Sequence, residues 1–188
     1  MFGPRLKGAL CTLRPLREEE AETIVPWWED LETTRTIGRR LPVGLAEERD
    51  WLAAAARDPN RFTWGIECEG RLVGISGVDQ IDWLNARAVT GTVVGDPSAR
   101  GKGIGSESMW LRTEFVFTQT QLHKLCSGYL SNNPASGRAQ AKSGYREVGR
   151  RREHFFRDGE WVDEIVTEVL RADWAALAPP PGFSRNSG

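Results

Sequence analysis

The sequence predicts a mixed α/β layer fold, an α+β arrangement of helices on a mostly antiparallel sheet. Three observations carry that expectation. Strand and helix periodicities alternate along nearly the whole chain. Two pairs of apolar runs are joined by short turns, Glu69-Gly70 and Asp158-Gly159, as hairpins are. One helix opens on a glycine-rich turn and keeps Ile104, Ser108, Leu111 and Phe115 on one face, which suits packing on a sheet.

The elements follow in order. Leu10–Leu16 reads as a strand, and Arg17-Glu18-Glu19-Glu20 as an acid-rich helix start running toward Trp27 and Trp28, with Pro26 set to end or kink it. Ala46–Arg57, rich in Ala and Glu, is a second helix that stops before Asp58-Pro59. Phe62–Glu67 and Arg71–Val78 form the first hairpin, and Ala88–Gly95 is a third strand ended by Asp96-Pro97. A helix over Gly103–Gln119, a strand over Lys124–Ser131 and a short helix over Pro134–Lys142 come next. Tyr145–Phe156 and Glu160–Leu170 make the last hairpin. One domain therefore spans 1–177. From Ala178 the prolines and small polar residues of 178–188 favour a flexible tail.

Composition narrows the function. With 188 residues the length suits one domain, and eight Trp and seven Phe give it a core to bury. The formal net charge is −1 and no basic block occurs, which argues against nucleic acid as the main partner. The longest apolar run, Trp51–Ala56, is far short of the ~18 residues that a membrane crossing needs, and no secretory pattern opens the chain. Cys11, Cys68 and Cys126 are odd in number and far apart, and only His123 and His154 could join them. They are expected to be reduced thiols of a cytoplasmic protein, with no metal site.

Arg100, Gly101, Lys102, Gly103, Ile104, Gly105 and Ser106 follow a strand and open a helix. Glycines there bring backbone N–H groups close to a ligand, and the helix dipole adds positive potential, so the turn suits a pyrophosphate. Any tight strand-to-helix turn also uses glycine. The turn does not match the G-x-x-x-x-G-K-[ST] spacing of a Walker A loop. Ser106 breaks the dinucleotide fingerprint, and no repeated parallel βαβ unit surrounds it.

The spacing Arg100-x-x-Gly103-x-Gly105 resembles the acyl-CoA pyrophosphate loop of the GCN5-related N-acetyltransferases. Asn133 with Ser136, and Lys142 with Gly144 and Tyr145, resemble that superfamily's N-x-x-S and K-x-G-F/Y elements. Arg157–Asp163 resembles a turn of its RimJ/RimL-like branch. The resemblance runs from about Leu13 to Trp174. It implies a sheet splayed into a V between the strands Ala88–Gly95 and Lys124–Ser131. Acetyl-CoA would lie there as co-substrate, on the backbone of Thr92, Val93, Val94 and Gly95, near Asn133, with its diphosphate on N–H groups from Lys102 to Ser106. It also leaves room for a homodimer through the last strands.

Acetyl transfer to an amine requires a neutral nucleophile, although a free alkylammonium has a pKa of about 10.4. A base, a donor to the carbonyl oxygen and an acid for the leaving thiolate are the groups to look for. Where many relatives have an acidic tyrosine this chain has Gln140, which cannot serve; the resemblance implies Ser136 instead. Relatives with a strand glutamate have it where this chain has Val89, and the sixth-strand carboxylate aligns with Phe155. The remaining bases are His154, Glu153, Glu29, Asp30, Asp79 and Asp82, or a water chain.

Trp27, Trp28, Trp83 and Trp161, interleaved with Glu29, Asp30, Glu32, Asp79 and Asp82, would suit a cationic amine; Trp51, Trp64 and Trp174 read as core or edge packing. The expected activity is acetyl transfer by direct attack of a primary amine, leaning to a small cationic one such as a polyamine or an aminoglycoside-type antibiotic. A protein N-terminus is the alternative acceptor, and a non-catalytic acyl-CoA sensor the alternative function.

Overall fold

The computed structural model describes residues 1–39 and 41–183. Its strands are β1 (Leu6–Lys7), β2 (Thr12–Arg14), β3 (Phe62–Cys68), β4 (Arg71–Asp82), β5 (Arg87–Val94), β6 (Lys124–Leu130), β7 (Arg146–Arg157) and β8 (Glu160–Leu170). The helices are α1 (Ala21–Glu29), α2 (Leu31–Thr34), α3 (Leu45–Arg57), α4 (Ile104–Gln119), α5 (Pro134–Lys142) and α6 (Arg171–Ala175). One sheet takes the strands in the order β1-β2-β3-β4-β5-β6-β8-β7, antiparallel at every junction except β5–β6. This is the mixed, mostly antiparallel fold that the alternating periodicities predict.

Two apolar clusters divide the strand side chains between them. Leu13, Trp64, Ile66, Val78 and Leu125 pack with Trp110 and Phe117 of α4 and with Trp174 of α6. Ile75 and Val93 turn the other way and pack with Ile24, Trp27 and Trp28 of α1 and Leu52 of α3. Pro26 lies inside α1 without ending it, as the sixth of nine residues, where it forgoes one N–H to C=O bond of the helix.

Two elements differ from expectation for local reasons. β2 is shorter than Leu10–Leu16 because the buried Glu107 carboxylate on α4 accepts from the N–H groups of Ala9, Leu10 and Cys11 at 2.7–2.8 Å, drawing that turn off the ladder. α4 is buried almost all round, not on one face, because β2's approach and the C-terminal segment cover its other sides. Trp110 lies 5.4 Å from Trp174 and 6.4 Å from Phe183, ring to ring. Phe183 thus stands against the core within the stretch read as a tail; 184–188 lie outside the described residues.

The β5–β6 junction sets up the site. Only Arg87, Ala88 and Val89 pair with β6, opposite Lys124, Leu125 and Cys126. Beyond them β5 stays with β4 and β6 with β8, so the two strands part. Side chains stitch the point of divergence: Ser127 Oγ donates to Thr90 O at 3.0 Å, Thr90 Oγ1 to Cys126 O at 3.2 Å, and Thr90 Oγ1 lies 3.0 Å from the buried Tyr145 hydroxyl.

Candidate active site

Beyond that apex a cavity of about 490 Å³ opens between the parted strands. Thr92, Val93 and Val94 form one wall, Arg100, Gly101, Gly103, Gly105 and Ser106 an end, and Asn133, Ser136, Arg138 and Lys142 the opposite wall. The glycine turn is shaped by its backbone. Gly101 and Gly103 have φ of 74° and 85°, which L side chains adopt only with strain. Gly103 caps α4, and Gly103, Gly105 and Ser106 line the cavity, so the first turn of that helix brings its free N–H groups and the dipole's positive end to it. Gly95 just before the loop is required by packing: a Cβ there would sit 2.0 Å from the Trp27 ring.

The chain's own groups therefore fit an anionic, elongated ligand, with corrections to the expected roles. Arg100 spends its guanidinium inside the protein, Nε to Val94 O at 3.1 Å and Nη2 to Gly95 O at 2.9 Å and Thr33 Oγ1 at 2.5 Å, so it holds the loop to β5 and α2. Lys102 is exposed and does not line the cavity, and Ile104 turns into the core. Besides Arg100, the basic groups that line it are Arg138, which sequence reading passed over, and Lys142, named there only as part of a motif. Ala135, Arg138, Ala139 and Lys142 follow i, i+3, i+4, i+7 spacing on α5, a signal that was readable.

Asn133 caps α5, its Oδ1 accepting from Ser136 N at 3.1 Å while Nδ2 donates to Thr36 O at 3.0 Å. Ser136 Oγ faces the cavity and accepts from Gln140 Nε2 at 3.3 Å. Gln140 itself is buried and spent on Gly128 O and Thr167 Oγ1, in accord with its having no proton to give.

A second cavity of about 240 Å³ adjoins the first, and Ile37, Thr92 and Val93 line both. Trp28, Trp51, Arg39, Glu48 and Asp79 complete its wall. Glu48 is 3% exposed and accepts from Trp28 Nε1 at 3.0 Å; burial raises its pKa, a shift opposed by that bond and by Arg39. Asp79 ends the regular part of β4, directly across from Val89 of β5, where a bulge breaks the register. Burial raises its pKa as well, against the pull of Arg61 and Arg112. Arg61 forms an ion pair with Asp79, Nε to Oδ1 at 2.5 Å, and its guanidinium lies 5.6 Å from the Trp51 ring.

The predicted acceptor residues thus divide. Trp28 and Asp79 meet in this cavity, and Trp51, expected in core or edge packing, joins them while packing against the α1 cluster. Trp27 is buried beneath Gly95. Glu29 is exposed on α1, and Asp30 caps α2 by accepting from Glu32 N and Thr33 N, bonds that with the Thr33 hydroxyl hold its pKa down. Trp83 is exposed, and Trp161, 62% exposed, packs at a tilt against Phe156 with ring centroids 5.2 Å apart; neither lines either cavity. His154 is exposed on β7, 3.6 Å from Glu164 and against Phe155, and Asp82 is tied to Asn85 and Arg87; these too stand outside both cavities. Glu48 was missed, although its spacing with Leu52 and Ala55 places a carboxylate on the buried face of α3.

The family model "Acetyltransferase (GNAT) domain" matches residues 11–146. The chain belongs to the GNAT acetyltransferase family. It is an N-acetyltransferase with acetyl-CoA as co-substrate, and the basic groups and helix N-terminus that line the first cavity suit that molecule's phosphates. Among relatives, N-acetyltransferase p20 of Bacillus licheniformis is 23% identical over 169 residues, covering 87% of this chain and 94% of that one. The ribosomal protein uS5-alanine N-acetyltransferase of Escherichia coli is 25% identical over 75 residues, 40% of this chain and 39% of that one. Among solved structures, spermidine N-acetyltransferase from Vibrio cholerae in complex with CoA and spermine superposes with a TM-score of 0.82 at 19% identity, over 89% of this chain and 99% of that one.

Among the described residues no helix is long and apolar enough to cross a membrane, and no cluster of three or more His, Cys, Asp or Glu could hold a metal ion.

Proposed function

We propose that this acetyltransferase acts on a compact primary amine, which enters the second cavity as a cation between Trp28 and Trp51. The observation that carries the reading is the adjacency of the two cavities. An amine beside Asp79 and a thioester along Thr92 and Val93 would meet at a shared wall.

In this mechanism acetyl-CoA lies in the first cavity, its diphosphate on the first turn of α4 and its outer phosphate near Arg138 and Lys142. Asp79 takes the proton that the ammonium must lose. Its position supports the role: it stands directly opposite Val89, the place of the glutamate that the family resemblance implies, and Cβ atoms so paired lie ~5 Å apart. The carboxylate would thus move to the neighbouring strand on the same face of the sheet. A carboxyl whose pKa is raised by burial accepts a proton more readily than an exposed one. The free amine attacks the thioester carbonyl and the C–S bond breaks; the proton shed by the acylated nitrogen passes to the departing sulfur, relayed through the Ser136 hydroxyl, which gives one proton and takes one back.

Charge narrows the acceptor. Glu48 already faces Arg39, and Asp79 faces Arg61. Arg39 also covers the Trp28 ring at 5.1 Å, the face a second cation would use. With each carboxylate already facing an arginine, the cavity has no spare negative charge for a second ammonium, which favours a compact monoamine over an extended polycation. The second reading, a protein N-terminus, also brings a single amine, and the likeness to the uS5-alanine enzyme supports it.

The test is release of thiol from acetyl-CoA across compact monoamines, aminoglycosides, spermidine and peptides beginning with Ala or Ser. Turnover with compact monoamines at least tenfold above spermidine is expected. Preference for the peptides would establish the second reading. Preference for spermidine would overturn the one-charge argument.

A further inference from the structure

Arg112 of α4 is 1% exposed, yet no carboxylate touches it among the described residues. Its Nη1 donates to Ser76 Oγ at 3.1 Å, Gly91 O at 2.7 Å and Thr92 Oγ1 at 2.6 Å, while its buried Nε has no hydrogen-bond partner. A buried guanidinium held only by neutral acceptors is costly, and apolar residues of similar volume often replace such groups with no loss of stability. The fold keeps this one at a particular place. Gly91 and Thr92 line the second cavity, and Thr92 lines the first as well. They are the residues of β5 just past its last pairing with β6, on the edge left free where the strands part.

We infer that Arg112 is a positioning residue for acetyl transfer, which fixes Gly91 and Thr92 at the free edge of β5 and sets a permanent positive charge behind the reaction centre. The inference rests on the reading that puts the amine beside Asp79 and the thioester along Thr92. Negative charge develops on the thioester oxygen as the amine adds, and on sulfur as it leaves. A cation already fixed across one layer of backbone needs no reorganisation to stabilise either. It also favours the ionised form of Asp79, the form that takes the proton. The other charges facing Asp79 are Arg61 beside it, Asp58 at the end of α3 and the Met1 ammonium.

The deciding variant is Arg112→Met, with Arg112→Lys as the conservative control. Arg112→Met is expected to unfold at the same or a higher temperature and to bind acetyl-CoA within threefold of the native chain. Its kcat should fall about tenfold or more, the scale of lost electrostatic preorganisation, and the acid limb of its pH–rate profile should move to higher pH. Arg112→Lys should recover part of kcat and return the limb toward its native position. An unchanged kcat and profile in Arg112→Met would overturn the inference. So would a loss equal at every pH with acetyl-CoA binding gone, the mark of a structural role. Should Arg112→Met not fold, Arg112→Lys and Arg112→Gln carry the same comparison. If no amine is turned over, the reading of the acceptor site fails separately. Titration of the Asp79 carboxyl by NMR in the native chain and in Arg112→Met then decides, a native pKa no lower than the variant's overturning the inference.

Discussion

The two cavities meet at one wall but are built by different means. The acyl-CoA cavity is made largely of backbone: two positive-φ glycines, the first turn of α4 and the free edge of β5. The second cavity, proposed for the amine, depends on side chains brought from α1, α3, β3, β4 and the segment before α3, set against β5. Backbone geometry is dictated by a few residues close together in the chain, whereas a wall of side chains depends on packing across the fold. Damage to the first should weaken binding, and damage to the second should stop chemistry with binding intact.

Asp79→Asn is the sharpest way to break that division. The asparagine keeps the shape but cannot take a proton, so kcat should fall by about 10²–10⁴, the usual contribution of a general base. Acetyl-CoA affinity, measured by calorimetry, should change less than twofold. A parallel loss of both would mean that the cavities do not act separately. Gly103→Val cuts the other way. At φ 85° the side chain is strained, and its Cβ would also press on Leu10 at 3.1 Å. A strain of about 1–3 kcal/mol should lower acetyl-CoA affinity roughly tenfold to a hundredfold, while kcat at saturation stays within a few-fold of native.

The same contrast explains what could be read in advance. The order of strands and helices, both hairpins and the parting of the sheet follow from periodicity, turn residues and the family resemblance. The glycine loop was legible because its meaning is local: Gly101 and Gly103 need their conformations whatever surrounds them. The amine cavity was legible only in part. Trp28 and Asp79 were singled out, but so were Trp83 and Trp161, and composition cannot tell a Trp at a cavity wall from one at a hairpin tip. Glu48 and Trp51 share α3, and only the tertiary fold shows that one turns under Trp28 while the other faces Arg61. Arg100 shows what sequence leaves out: a cation that lines the phosphate-loop cavity also holds the loop in place through Val94 O, Gly95 O and Thr33 Oγ1.

Glu48 offers a smaller effect with a definite sign. Its folded pKa is raised by burial, so the folded chain holds this proton to higher pH than the unfolded chain does. Glu48 thus favours folding most at low pH, and that contribution is lost as pH rises from the ordinary carboxylate value through the raised one. Glu48→Gln removes the titration while leaving an oxygen to accept from Trp28. In urea unfolding the variant should be more stable than native at neutral pH and gain less from acidification. A native midpoint that rose across that window, relative to the variant's, would contradict the sign. For a cationic acceptor, KM should rise a few-fold, with kcat little changed.

His154→Gln should do least. Histidine is the side chain whose intrinsic pKa best suits a base near neutrality, and on that ground alone it outranks Asp79. Geometry reverses the ranking. The ring lies beside Glu164 and against Phe155 on an exposed stretch of β7, where the register with β8 shifts between Arg151 and Phe155. A base must come within hydrogen-bond reach of the proton it removes, and a group outside both cavities cannot do so without the hairpin moving. Native kcat/KM and an unaltered acid limb are therefore expected for His154→Gln. A limb that disappeared would show that the β7–β8 hairpin folds over the amine cavity during turnover, and would transfer the base from β4 to β7.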